Sequence, residues 1–235
     1  LKIWDADSGK ELQTLTGHGH RVNGCSWSPD GKRILSAAWD NTLKIWDADS
    51  GKELQTLTGH GYSVFGCSWS PDGKHILSAS WDNTLKIWDV ASGQELQILT
   101  GHNGSVGAGS WSPDGKFVLS ASLDKTLKIW DADSGQELHT LIGHNGSVNG
   151  CSWSPNGKFI LSASTDKALK IWDAASGQEL RTFCHLPDGE AASFDHETFL
   201  WASPGAWRHL AYRGFDPSRN FWRVYPAEAK GPLPS

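Results

Sequence analysis

Along residues 1–183, apolar and polar positions alternate in short runs, and each run stops at turn-forming residues. RVNGCSWS, from Arg21, ends at Pro29-Asp30-Gly31. KRILSAA, from Lys32, ends at a tight turn around Asp40-Asn41. TLKIWDA, from Thr42, ends at Asp49-Ser50-Gly51, and ELQTLT, from Glu53, ends at Gly59-His60. Runs this short, rich in β-branched and aromatic residues and bounded by Gly, Pro, Asp and Asn, predict β-strands. No helical period is present in this region.

The pattern repeats. LKIWD begins at Leu1, Leu43, Leu85, Leu127 and Leu169, a step of 42 residues each time. Gly-His pairs at Gly17-His18, Gly59-His60, Gly101-His102 and Gly143-His144 keep the same step, as do the WSPDGK or WSPNGK segments from Trp27, Trp69, Trp111 and Trp153. The chain thus holds four full units, preceded by the last part of another. One four-stranded sheet cannot bury both faces alone, but stacked copies can. The expected fold is all-β, with four-stranded antiparallel units packed side by side.

A four-strand unit of this length marked by Gly-His and Trp-Asp resembles the WD-repeat β-propeller family. The resemblance covers residues 1 to about 183. It implies four complete blades plus a split or partial blade, with the first strand of each blade lining a central channel and the fourth outermost. Residues 184–235 form a separate C-terminal segment, expected to pack on the propeller or close it.

Each unit contains a His, a Ser and an Asp, which invites comparison with a hydrolase triad. The set recurs as His18, Ser36, Asp40; His60, Ser78, Asp82; His102, Ser120, Asp124; and His144, Ser162, Asp166. A catalytic site is rarely built four times in one chain. The resemblance implies a structural role: in the family these residues join a Trp, here Trp46, Trp88, Trp130 and Trp172, in a buried hydrogen-bond network. No residue is assigned a catalytic role. Trp27, Trp69, Trp111 and Trp153 are read as packing between blades. Phosphate-loop, nucleophile-elbow and zincin motifs are absent, and the turn Asp residues lack calcium-loop spacing.

The copies differ at few places. After the Gly-His pair stand His20, Arg21 and Asn23 in the first unit, then Tyr62, Ser63 and Phe65, then Gly104, Ser105 and Gly107, then Gly146, Ser147 and Asn149. Just before the turn Asp stand Trp39, Trp81, Leu123 and Thr165. In a propeller these two places open onto one face of the disc, a common partner-binding surface in the family. Relaxed constraint at exposed loops explains variation, but it does not favour Trp. Trp39, Trp81, Leu123, Phe65 and Tyr62, flanked by Arg21 and His20, are the expected partner-binding patch, because aromatic residues and Arg anchor interfaces. A second variable set, Arg33, His75, Phe117 and Phe159, opens the second strand of each unit. It is expected on the other side or the rim, with Phe117 and Phe159 packing.

Composition agrees with a globular protein that builds its core from large rings: 38% of residues are hydrophobic, yet 14 are Trp. The net charge of -5 argues against a nucleic-acid partner. No apolar run approaches the roughly 18 residues of a membrane span. Cys25, Cys67 and Cys151 share one repeat position and are not placed to pair; with Cys184 they read as small buried thiols, which fits a cytoplasmic setting. There is no Met, and the sequence opens mid-pattern, so a longer parent polypeptide is expected.

The last fifty residues leave the period. EAASFD and TFLWAS read as strands joined by DHET, AWRHLAYR as a third strand or short helix, and GPLPS as a frayed end. Tail strands could complete the partial blade of residues 1–16 and close a five-bladed ring; upstream repeats, or self-association, are the alternatives. The tail resembles segments that follow the last WD repeat in some large bacterial signalling proteins. The leading expectation is therefore a non-enzymatic scaffold or sensor module that binds a protein or peptide on one face, with no metal or cofactor. The alternatives are a glycan-binding propeller, or an enzyme or metal site built from His185, Asp188, His196 and His209.

Overall fold

The structure is a computed structural model describing residues 1–185, 191–195, 198–202, 211–216 and 221–226. Every regular element among them is a β-strand. A two-stranded sheet comes first, β1 (Lys2–Trp4) and β2 (Glu11–Thr14). The first complete blade is β3 (Val22–Trp27), β4 (Arg33–Ala38), β5 (Leu43–Asp47) and β6 (Glu53–Leu57). The second is β7 (Val64–Trp69), β8 (His75–Ser80), β9 (Leu85–Asp89) and β10 (Glu95–Leu99). The third is β11 (Val106–Trp111), β12 (Phe117–Ser122), β13 (Thr126–Asp131) and β14 (Glu137–Ile142). The fourth is β15 (Val148–Trp153), β16 (Phe159–Ser164), β17 (Ala168–Asp173) and β18 (Glu179–His185). Strands pair antiparallel in chain order within each blade. Together these are the four-stranded repeated blades of a β-propeller.

Turn chemistry sets the strand ends. Gly31 adopts φ 69°, and its N–H bonds Ser28 O at 2.9 Å, closing the turn between β3 and β4. At the opposite end, the residue after the turn Asp is left-handed: Asn41 (φ 67°), Asn83 (φ 70°), Lys125 (φ 73°) and Lys167 (φ 68°). Asn tolerates this region; Lys does so at a cost. The outer strands are tied by a repeated ion pair: Lys44 Nζ bonds Glu53 at 2.8 Å and Thr56 Oγ1 at 2.7 Å.

The core lies between blades. Leu35, Leu43, Ile45 and Leu57 of the first blade pack against Val64, Trp69, Ile76, Trp88 and Val90 of the second. First strands of successive blades adjoin one another, β3 with β7, β7 with β11, and β11 with β15. The fourth blade breaks the pattern: Leu161 and Leu169 are 42% and 45% exposed, whereas their equivalents Leu77 and Leu85 are 1% and 0%. Among the described residues, nothing covers that flank as the next blade covers the others.

Two tail strands follow expectation, β19 (Ala191–Asp195) and β20 (Thr198–Ala202). They add to the outer edge of the fourth blade through β18, making a six-stranded sheet, and do not join the sheet of β1 and β2. β21 (Ala211–Asp216) covers the end of AWRHLAYR as a strand, and it pairs with β22 (Phe221–Pro226), which the sequence pattern did not reveal. His196, Trp207 and His209 lie outside the described residues, as does GPLPS. No helix among the described residues is long and apolar enough to cross a membrane.

The cysteines are less buried than expected: Cys67, Cys151 and Cys184 are half-buried, and Cys25 is exposed. The flank that carries it meets only half a blade, and a cavity of about 270 Å3 lined by Leu1, Ile3, Trp4 and Trp27 opens beside it. Trp27 is exposed for the same reason, while Trp69 is buried between two complete blades.

Candidate functional site

Each Ser-His-Asp set forms the same chain of hydrogen bonds. In the first blade His18 Nδ1–H donates to Asp40 Oδ2 at 2.9 Å, Ser36 O–H donates to His18 Nε2 at 2.7 Å, and Trp46 Nε1–H donates to Ser36 Oγ at 2.8 Å. The second blade repeats it with His60, Asp82, Ser78 and Trp88 at 2.7, 2.7 and 2.8 Å. The third uses His102, Asp124, Ser120 and Trp130 at 2.7, 2.7 and 2.9 Å. The fourth uses His144, Asp166, Ser162 and Trp172 at 2.9, 2.8 and 2.9 Å. The connectivity is that of a hydrolase triad, but all four Ser residues are fully buried and each accepts an indole N–H. No substrate reaches such a hydroxyl, so the set ties strands together instead.

Electrostatics agree. Burial pushes the Asp40 carboxyl up, but hydrogen bonds from Thr42, His18 and the Gly19 N–H outweigh it and hold the carboxyl at about 2. Burial pushes the His102 imidazole below its ordinary value, against the opposing pull of Asp124. A neutral imidazole beside an ionised Asp is the state that accepts from Ser and donates to Asp at once.

The sequence profile of the family described as "WD domain, G-beta repeat" matches residues 9–47, 51–89, 93–131 and 135–173, more than half of the chain. The chain belongs to the WD-repeat family. Each matched segment begins on the outer strand of one sheet and ends on the third strand of the next, so the repeat in sequence straddles two blades. Curated relatives match over single stretches. The nuclear distribution protein PAC1 of Mycosarcoma maydis is 53% identical over 36 residues, which is 15% of this chain and 8% of that protein. The Lissencephaly-1 homolog 1 of Paramecium tetraurelia is 46% identical over 43 residues, 18% of this chain and 11% of that protein. The guanine nucleotide-binding protein subunit beta of Saccharomyces cerevisiae is 42% identical over 41 residues, 17% of this chain and 10% of that protein. The matches thus span about a tenth of the length of these relatives.

The WD-repeat scaffold brings the two variable places of each unit into direct contact. The backbone N–H of Trp39 donates to Arg21 O at 2.9 Å, Trp81 to Ser63 O at 3.0 Å, Leu123 to Ser105 O at 2.9 Å, and Thr165 to Ser147 O at 2.9 Å. A bulge opens each first strand: Val64 faces Ser80 and Gly66 faces Ala79, leaving Phe65 as the extra residue. Asn23, Gly107 and Asn149 occupy the same bulge in the other blades. Bulges re-aim side chains, and Phe65 reaches Trp81, with ring centroids 4.4 Å apart and planes 10° apart.

Trp39 of the neighbouring blade joins them, 6.2 Å from Trp81 and 6.3 Å from Phe65. The Arg21 guanidinium lies over the Trp39 ring at 5.4 Å. Trp39 and Trp81 remain 40% and 42% exposed. Tyr62, Leu123 and His20 are exposed on the equivalent loops and turns; no ring contact joins Tyr62 or His20 to the trio among the described residues. Lys125 and Lys167, not singled out from the sequence, stand exposed on the same turns. Their signal was the exchange of Asn for Lys after the turn Asp. The only acids on these turns, Asp40, Asp82, Asp124 and Asp166, are engaged in the networks.

At the opposite end of the blades, Phe117 stacks on Trp153, centroids 6.3 Å apart, as expected of packing. Phe159 is exposed, because no following blade covers it among the described residues. Arg33 and His75 meet Trp69 and Trp111 of the next blade. No group of three or more His, Cys, Asp or Glu that could hold a metal occurs among the described residues. His185 is described at the end of β18, whereas Asp188, His196 and His209 lie outside them.

Proposed function

We propose that the protein is a non-enzymatic interaction module that grips a peptide segment of a partner protein on the face carrying Trp39, Phe65 and Trp81. The stacked Phe65–Trp81 pair, joined by Trp39 across a blade boundary and left open to solvent, carries this reading. Large apolar rings exposed together on a rigid surface mark partner sites. WD-repeat proteins generally act as protein-interaction scaffolds, which supports a protein partner. Tyr62 and Leu123 extend the apolar surface on neighbouring loops. Arg21, Lys125 and Lys167 place exposed cations beside the rings, so the segment bound carries apolar side chains next to carboxylates. The cytoplasmic setting, and a place at the sensor end of a larger bacterial signalling protein, enter the proposal on the unpaired thiols and the tail resemblance.

The test is a selection of displayed peptides on the folded protein, followed by binding of the selected peptides to Trp39→Ala and Trp81→Ala. Loss of binding in both supports the site. Equal binding overturns it, and a glycan array that yields ligands where the peptide selection yields none favours sugar recognition.

A further inference from the structure

The ends of the blades opposite the aromatic face hold a second kind of place. Where β4, β8 or β12 begins, its first side chain meets a Trp of the next blade. Three complete interfaces present this cleft, and the copies fill it differently. In the first, the Arg33 guanidinium carbon stands 4.9 Å from the centre of the Trp69 ring. Its charge also reaches Asp30, whose carboxyl is held low by the Ser28 hydroxyl, the Lys32 N–H and Arg33. In the third, Phe117 stacks on Trp153 and the space is divided, with about 240 Å3 lined by Leu138, His139, Ala174 and Ala175 and about 320 Å3 lined by Asp114, Pro155 and Asn156.

The middle cleft is different. Its first side chain is His75, shorter than Arg or Phe in reach, tilted 31° to Trp111 with centroids 6.3 Å apart. A cavity of about 330 Å3 remains, lined by His75, Trp111, Gln97 and the carboxylates Asp72, Asp114 and Asp133. The first cleft has Ala91 where this one has Asp133, and the third has Ala175 there and Asn156 in place of Asp114. Gln97 donates its amide N–H to the Asp133 carbonyl, which fixes the side chain, and its buried Oε1 has no hydrogen-bond partner. Trp111 Nε1 lacks the bond that ties Trp69 to Ser26 O at 3.3 Å and Trp153 to Ser110 O at 3.4 Å. The middle cleft is thus one continuous cavity and the most acidic of the three.

We propose that the cleft between the second and third complete blades binds a guanidinium group, stacked on Trp111 and paired with the surrounding carboxylates. The chain itself shows the stacking one interface away, with Arg33 over Trp69. A guanidinium suits the cleft better than an ammonium: it is planar, weakly hydrated, stacks on an indole face, and its N–H fork matches carboxylates and an amide oxygen. Lys74 reaches Asp72 only at 4.0 Å with its side chain largely in water, so a ligand displaces little by competing with it. The guanidinium can belong to a small molecule or to an arginine side chain of a partner.

The test uses agmatine and the peptide acetyl-Gly-Arg-Gly-amide, with acetyl-Gly-Lys-Gly-amide as control, titrated calorimetrically into the whole chain. Two variants borrow residues that sister copies already carry, so both keep the fold: His75→Arg, which fills the cleft as Arg33 does, and Asp133→Ala, which copies Ala91. The proposal expects agmatine or the Arg peptide to bind wild type, at least ~10-fold weaker binding to both variants, and weaker binding of the Lys peptide. Binding of agmatine alone assigns a small molecule; binding of the Arg peptide alone assigns a partner side chain. Absence of binding to wild type, undiminished binding to His75→Arg, or equal binding of the Lys peptide overturns it.

Discussion

The hydroxyl of Ser78 accepts the indole N–H of Trp88 at 2.8 Å while donating to His60, and all three side chains are buried. Removing that one oxygen strands two partners. Ser78→Ala should lower stability by about 2–4 kcal/mol, because each orphaned buried group costs about 1–3 kcal/mol. Urea unfolding measures it; a loss under ~0.5 kcal/mol would mean the network is not what ties the blade.

Leu77 and Leu161 hold the same repeat position, one sealed between blades and one on an uncovered flank. Leu77→Ala should cost about 2–5 kcal/mol, and Leu161→Ala less than ~1 kcal/mol. Comparable losses would show that another surface covers Leu161 in solution.

Lys125 holds a left-handed backbone that two sister copies give to Asn. Lys125→Asn should raise stability by ~0.5 kcal/mol through relief of that conformation. The same exchange should weaken an acidic peptide on the aromatic face, which separates the two effects in one variant.

Replacing Trp39 and Trp81 by Ala should leave stability within ~1 kcal/mol, since both rings are partly exposed, while weakening a selected peptide about 30-fold or more. Circular dichroism and calorimetry on the same preparations read both quantities.

Acid should unfold the protein in two stages. Burial lowers the folded pKa of His102, so the unfolded chain takes up that proton first, and stability declines as pH falls below about 6.5. The Asp40 carboxyl rests at about 2 in the fold, against roughly 4 when unfolded, so its contribution is full above about pH 4 and lost as pH falls toward 2. Melting temperatures from pH 8 to 2.5 should be flat, then fall, then fall further; a profile level down to pH 3 would contradict both assignments.

Strand positions in the repeats were legible because turn residues and alternation are local signals: RVNGCSWS became Val22–Trp27 and ELQTLT became Glu53–Leu57. The Ser-His-Asp-Trp network was legible through the family resemblance and the fourfold recurrence. Contacts across blades were not. That Phe65 sits on a bulge and stacks on Trp81 depends on a backbone irregularity with no residue signature in VFGCSW. That His75 lines one cavity with Trp111 and three carboxylates depends on the neighbour 36 residues later in the chain. β22 was missed because FWRVYP lies outside the repeat that guided the reading.

Each repeat in sequence lends its leading strand to the sheet before it. Any two neighbouring units are therefore joined by a joint of the same construction. Gain or loss of a whole unit would therefore change the number of blades while leaving every seam with the same strand construction.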